Sequence, residues 1–200
     1  MKRYNKFFLN LFLILIILFT LTSCSGVIPE PTPPTEHPDI ADSHKVTAIA
    51  PYYETEQGKH YCLISKGVIV TNYESSQKVL TQQELADAIF GTVGTTMEAL
   101  ASYINGRPAL DLKVEIKYLS ILEIQRMIED DIIPIVSTKS GTDVYLPVAY
   151  NKITEEITNY ATLTGKEITA NQFEFFNLDN NKSVIIINKE KLSTYWENLL

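Results

Sequence analysis

Nine consecutive residues, Leu110-Asp111-Leu112-Lys113-Val114-Glu115-Ile116-Lys117-Tyr118, alternate apolar with charged side chains without a break. That period of two belongs to a β-strand with one face covered and the other wet. A half-wet strand of this kind is a feature of antiparallel sheets rather than of fully covered parallel ones. Around it, residues 46–53, 59–64 and 67–73 read as three short strands, separated by the turn residues Glu56-Gln57-Gly58 and Ser65-Lys66. Thr81-Gln82-Gln83-Glu84 and Ser120-Ile121-Leu122-Glu123 each carry a capping-box pattern, which opens a helix. Leu85, Ala88, Ile89, Val93, Met97, Leu100 and Ile104 follow the first box at helical spacing and predict one long helix, stopped at Asn105-Gly106. Gly91 and Gly94 inside it call for close packing or a backbone surface for a ligand. The second box predicts a helix to about Asp131.

Residues 132–137 and 143–149 predict a hairpin around Lys139-Ser140-Gly141, with Pro134 and Pro147 putting its strands at an edge or beside a bulge. Residues 173–178 and 183–188 predict a second hairpin. Residues 152–163 are ambiguous with a helical leaning, and Leu192, Tyr195, Trp196 and Leu199 suggest a short closing helix. Helices mixed with antiparallel hairpins in this order define the expected class: α+β, a mainly antiparallel sheet with helices packed on one face.

The front of the chain obeys other rules. Lys2, Arg3 and Lys6 precede a thirteen-residue run, positions 7–19, whose one polar interruption is Asn10. A bilayer-spanning helix takes about 20 apolar residues, whereas a run of this length suits the h-region of a signal peptide. Thr20, Thr22 and Ser23 are small and polar, as a processing site requires. A cleaved secretory signal is therefore favoured over a permanent anchor. Leu21-Thr22-Ser23-Cys24 resembles the lipobox of bacterial lipoproteins. The resemblance covers only about the first 24 residues. It implies cleavage between Ser23 and Cys24, a diacylglyceryl group on the Cys24 sulfur, and a mature chain that starts at Cys24.

Residues 25–44 hold five of the nine prolines, four acids and no Lys or Arg, the composition of an extended, solvated spacer. His37 and His44 lie there as linker histidines. The expected organisation is a removed signal over residues 1–23, a lipidated cysteine and tether over 24–44, and one α+β domain over 45–200. Removal of the leader, which holds three cations and no acid, deepens the formal charge from −7 to −10. A surface of that sign repels phosphate backbones, so nucleic acid is excluded as a partner. The expected partners are the membrane, through the anchor, and an envelope protein.

Sequence motifs for chemistry are sparse. His60 is the one histidine after residue 44, and Cys62 follows two residues on. On a strand, such neighbours share a face but stand about 7 Å apart, too far for a catalytic pair. Cys62 therefore reads as a packed, inert thiol. Metal-binding and phosphate-loop motifs are lacking, and no cofactor is expected. Asn177-Leu178-Asp179-Asn180-Asn181-Lys182 vaguely resembles a calcium loop, but it has Lys182 where that loop needs Gly and Asn188 where it needs Glu, which leaves an Asx-rich turn. Glu129-Asp130-Asp131 is an acidic run at a helix end, expected to be solvated.

Tyr52, Tyr53, Tyr61 and Tyr73 gather in the first predicted sheet and are the candidate binding residues. With no catalytic residues recognised, the expected function is an extracytoplasmic, membrane-anchored lipoprotein whose domain is a binding or interaction module without catalysis. The alternatives are a small carboxylate-dependent hydrolase of the envelope and a purely structural envelope lipoprotein.

Overall fold

The strict alternation at residues 110–118 becomes the strand β2 (Leu112–Leu119) in the computed structural model, which describes residues 40–90 and 95–192. In chain order the strands are β1 (Ser43–Lys45), β2, β3 (Ile135–Ser137), β4 (Val144–Tyr145), β5 (Pro147–Asn151), β6 (Glu156–Ala161), β7 (Lys166–Asn171) and β8 (Asn181–Asn188). The α-helices are α1 (Cys62–Glu74), α2 (Gln82–Ile89), α3 (Met97–Asn105), α4 (Ile121–Glu129) and the single turn α5 (Gln172–Phe175). The strands form two four-stranded sheets, ordered β1-β5-β6-β7 and β2-β8-β3-β4, in which the pairings are antiparallel. The fold is thus α+β, as the sequence predicts. The described residues belong to one unit, Ile40–Leu200. Among them no helix is long and apolar enough to cross a membrane.

β2 is an edge strand, paired along its whole length with β8 from Leu112↔Asn188 to Leu119↔Asn181. An open edge would leave its outward backbone groups unpaired. Asn105, the last residue of α3, covers part of that edge. Its amide donates to Val114 O and accepts from Val114 N, both at 2.9 Å. Leu112 and Val114 on the covered face are buried, and α3 packs against this strand.

The main departure from expectation is α1. Residues 59–64 and 67–73 do not form strands; Cys62–Glu74 is one helix, buried from Leu63 through Glu74. A helix enclosed on all sides carries no polar stripe, so its sequence, rich in Val and Ile, lacks a helical period and reads as strand. Fully burying side chains such as Ile64 and Ile69 stabilises this packing by about 2 kcal/mol each. The helix touches α2, α3, β3 and β8. Gly67 permits the approach of α3, because a Cβ there would lie 2.8 Å from Leu100 Cδ1.

Other boundaries shift for similar reasons. Both capping boxes form, at Thr81 and at Ser120. The predicted long helix is instead two helices, α2 and α3, and Gly91, Val93 and Gly94 lie outside the described residues. Residues 152–163 form the β5–β6 turn and β6 rather than a helix, with Asn151 Oδ1 accepting from Ile153 N and Thr154 N. Residues 173–178 do not pair with β8, which lies between β2 and β3. The expected hairpin over residues 132–149 is partly present: β3 pairs β4, but the chain then crosses to the other sheet as β5, with a register shift between Pro147 and Ala149. The closing helix expected at Tyr195, Trp196 and Leu199 lies outside the described residues.

Candidate functional site

The turn from β3 into β4, the head of α1 and the loop after β6 line an open cleft of about 810 Å³. Cys62 is the first residue of α1 and lines this cleft. Its preceding turn is tight: Tyr61 N–H donates to Gly58 O at 3.3 Å, and His60 adopts a positive φ of 66°. Tyr61, the cap position of α1, provides no side-chain hydrogen bond to it. The first-turn N–H groups of a helix have no partners within the helix, and its dipole places partial positive charge there. The head of α1 therefore offers uncapped donors and a favourable potential for negative charge beside Cys62.

Three groups surround the Cys62 sulfur. The thiol donates to Asp143 Oδ1 at 2.8 Å and lies 3.7 Å from Val144 O. Lys66, one helical turn on, donates from Nζ to Cys62 Sγ at 3.0 Å. Lys66 also donates to Cys62 O at 3.4 Å and to Thr162 Oγ1 at 3.0 Å. Thr162 in turn donates to Glu56 Oε1 at 2.7 Å. Asp143 is fixed by its own backbone neighbour, since Val144 N–H donates to the same Oδ1 at 2.8 Å. Lys66 is only 3% exposed and Thr162 1%, so this chain of contacts is sheltered, while Asp143 stands at the open side.

These contacts act on the thiol in opposite directions. Burial pushes the Cys62 thiol above its ordinary range, the Lys66 ammonium pulls it down, and the Asp143 carboxylate raises it again. The net shift is upward, so the resting group is a thiol whose proton is already directed at a carboxylate. A cation at hydrogen-bond distance, 3.0 Å, is placed to hold the thiolate once that proton moves.

Cys62 thus heads a helix and is hydrogen-bonded to two charged side chains, rather than packed on a strand as the sequence implied. The error has one source: on a helix, Cys62 and Lys66 are a facing i, i+4 pair, whereas on a strand they would share a face with Ile64 between them. Lys66, Asp143, Thr162 and Glu56 went unrecognised. The signal for Lys66 was a lone lysine inside an apolar run, one helical turn after the cysteine. Asp143 and Thr162 come from distant segments and leave no local pattern. His60 is exposed and lines the cleft. The partners of the thiol are nonetheless Asp143 and Lys66.

The four candidate tyrosines do not gather in one sheet, because Tyr73 ends inside α1 and Tyr52 closes a 3₁₀ turn. Tyr52 and Tyr73 meet edge to face at 6.2 Å, and Tyr53 stacks on Tyr160 at 3.8 Å. Tyr61 contacts Phe90 at 5.3 Å. None of the four is among the residues lining the cleft. Burial and the neighbouring Glu167 push the Tyr53 hydroxyl far upward, and burial does the same at Tyr73, whose hydroxyl donates to Asp131 O at 2.9 Å. Asp131 also meets His44 at 3.1 Å, and Glu129 accepts from Ala41 N, so the acidic run holds the first described residues against the domain. In the Asx-rich segment, Asn181 ties Asn177 and Leu119 backbone groups together. Cys24 and Ser23 lie outside the described residues.

No family model matches this chain, and no curated protein matches it. Solved structures do. The fold is similar to the peptidase domain of Streptococcus ComA, a bi-functional ABC transporter involved in a quorum-sensing pathway. The TM-score is 0.51 at 9% identity, covering 67% of this chain and 96% of that one. A double-glycine motif protease from an AMS/PCAT transporter, solved with its leader peptide, aligns at TM-score 0.49 and 8% identity, over 66% of this chain and 86% of that one. The expectation of a lipoprotein binding module is therefore corrected: the fold is similar to that of a peptidase domain, and a hydrogen-bonded thiol stands at the head of a buried helix in its cleft.

Proposed function

We propose that this chain is a thiol-dependent hydrolase acting on peptide amide bonds, with Cys62 as the nucleophile. One observation carries the reading: Cys62 Sγ lies in an open cleft at the head of α1, bonded at once to a proton acceptor, Asp143, and to a cation, Lys66. The likeness in fold to a peptidase domain supports the choice of substrate class. In the reaction, the Cys62 proton passes to Asp143 Oδ1 as sulfur attacks the substrate carbonyl carbon. Lys66 holds the negative charge developing on sulfur, and the first-turn N–H groups of α1 face the oxyanion. The tetrahedral adduct expels the amine, which takes its proton back from Asp143, leaving an acyl thioester on Cys62. A water molecule, deprotonated by Asp143, then hydrolyses the thioester and restores the thiol. A carboxylate is a weak base for a thiol, so the stabilisation of the thiolate by Lys66 and the helix head is what makes the first step accessible.

The lipobox resemblance and the proline-rich segment support placing this activity on the extracytoplasmic face of a membrane, with Cys24 lipidated and the domain held off the surface. The domain begins at Ile40, so the spacer is the fifteen residues 25–39, which reach at most about 45 Å when fully extended. The substrate is then a peptide or protein segment available outside the cytoplasm.

The test uses the full-length protein in detergent against pools of fluorogenic peptide amides, beside the Cys62→Ala variant. Turnover that disappears in the variant is the expected result. Turnover that persists without the thiol refutes the reading, as does an absence of both turnover and acyl-enzyme formation with peptide thioesters and activated esters.

A further inference from the structure

The Lys66 ammonium has three protons and no lone pair, and it makes three contacts: Cys62 Sγ, Cys62 O and Thr162 Oγ1. Two of those acceptors belong to the residue it serves. Among the described residues the third is the hydrogen bond that reaches Lys66 from outside α1, and it comes from the loop directly after β6. The direction of that contact is forced. An ammonium can only donate, so the Thr162 hydroxyl must accept from it and must send its own proton elsewhere. That proton goes to Glu56 Oε1 at 2.7 Å. The two segments are also joined through their backbones, since Glu56 N–H donates to Thr162 O at 3.0 Å. Donation therefore diverges from the Lys66 ammonium, on one side to the Cys62 sulfur and on the other to the Thr162 hydroxyl and on to the Glu56 carboxylate, and a hydroxyl held by a carboxylate is the stronger acceptor for the Lys66 proton.

The geometry of the ammonium turns this chain into a device for aiming. The three N–H bonds of Lys66 are tetrahedrally disposed, so fixing one of them on Thr162 sets the rotation of the group about Cε–Nζ. A second N–H then points at Cys62 Sγ. The lysine is buried, so an N–H of it left without an acceptor is costly.

We infer that Thr162, oriented by Glu56, is a positioning residue that aims the Lys66 ammonium at the Cys62 sulfur. The inference rests on the reading of Cys62 as the reactive group, and it gives both residues a role exerted through Lys66. A side chain present only to fill space would be replaced by valine without consequence for the thiol, because valine has nearly the same volume and shape. A positioning hydroxyl would not.

The experiment measures the rate of alkylation of Cys62 by iodoacetamide as a function of pH in the full-length protein, read by mass spectrometry on the Cys62 peptide, so that Cys24 does not contribute. Thr162→Val is expected to lower the rate at neutral pH about tenfold and to move the profile to higher pH, since the thiolate fraction sets the rate. Thr162→Ser, which keeps the hydroxyl, should stay within about twofold of the parent. Glu56→Gln, which keeps an acceptor oxygen but loses the charge, should fall by a smaller factor, about threefold. An unchanged pH profile in Thr162→Val overturns the inference, and so does an equal shift in Thr162→Ser. Should Thr162→Val fail to fold, as judged by its thermal transition, Glu56→Gln decides alone, and an unchanged profile there overturns it. Alkylation needs no turnover, so loss of the proposed hydrolysis and loss of this positioning are separate results.

Discussion

Asp143 and Lys66 touch the same sulfur with opposite charges, so their removal should move two observables in different directions. In Asp143→Asn the side-chain oxygen can still accept the Val144 N–H that Asp143 Oδ1 now takes at 2.8 Å, which preserves the local turn. The substitution removes the carboxylate, which raises the Cys62 thiol both by charge and by accepting its proton at 2.8 Å. A hydrogen bond to a charged acceptor contributes about 1.5–3 kcal/mol, and a thiol is a weak donor, so the low end applies. About 1.5 kcal/mol corresponds to about a tenfold rise in the rate of Cys62 alkylation at neutral pH. The same substitution removes the proton acceptor of the proposed reaction, and general-base catalysis contributes about 10²–10⁴-fold, so kcat/KM should fall by that factor. Lys66→Met behaves differently: it takes away the group that pulls the thiol down, so alkylation and turnover should both fall. The assay is peptide-resolved alkylation kinetics from about pH 6 to about pH 10 beside steady-state hydrolysis, a range that brackets the ordinary thiol value. Should Asp143→Asn alkylate more slowly than the parent, the carboxylate does not hold the thiol proton, and its assignment as acceptor fails.

Two further expectations concern stability and placement. Burial pushes the Glu74 carboxyl up, while Lys191 and the Asn188 N–H pull it back, and its side chain is fully enclosed. The folded chain then keeps this proton at a pH where the unfolded chain has released it, so the stability Glu74 confers is greatest below the ordinary carboxylate value of about 4.3 and falls as pH rises through the folded value. Glu74→Gln should remove that part of the pH dependence. Thermal transitions followed from about pH 4 to about pH 7 should converge or diverge between parent and variant, and a constant offset across the range would contradict the assignment. For placement, cells fed radiolabelled palmitate should label the wild-type chain and leave Cys24→Ser unlabelled and released from membranes. A Cys24→Ser variant that stays membrane-bound, with an unlabelled parent, would remove the lipid anchor from the picture.

Local rules in the sequence fared well where the physics is local. The alternation at residues 110–118 needs only one covered face to specify a strand, and β2 is that strand. Capping boxes involve residues three apart, and those at Thr81 and Ser120 form as read. Pairing partners depend on contacts between distant segments. β8 therefore appeared to need a hairpin partner in residues 173–178, yet it lies between β2 and β3. The chain passing from one sheet to the other between Tyr145 and Pro147 has no periodic signature either, although Pro147 did mark an irregularity there.

The site was hidden by the burial of the helix that carries it. A surface helix announces itself by a polar stripe, and α1 has none because α2, α3, β3 and β8 enclose it. Enclosure of α1 is also what keeps Lys66 within 3.0 Å of the sulfur rather than in water. Exposing α1 would have made the helix legible and the thiol ordinary. Buried polar residues inside an apolar run are costly unless they are paired, so Ser65-Lys66 demanded partners in the fold rather than the turn first assigned to it. The lone lysine of the run was therefore the most informative residue in the domain. Its partners, Cys62 one turn before it and Thr162 from the loop after β6, are the groups on which both the proposed chemistry and its positioning depend.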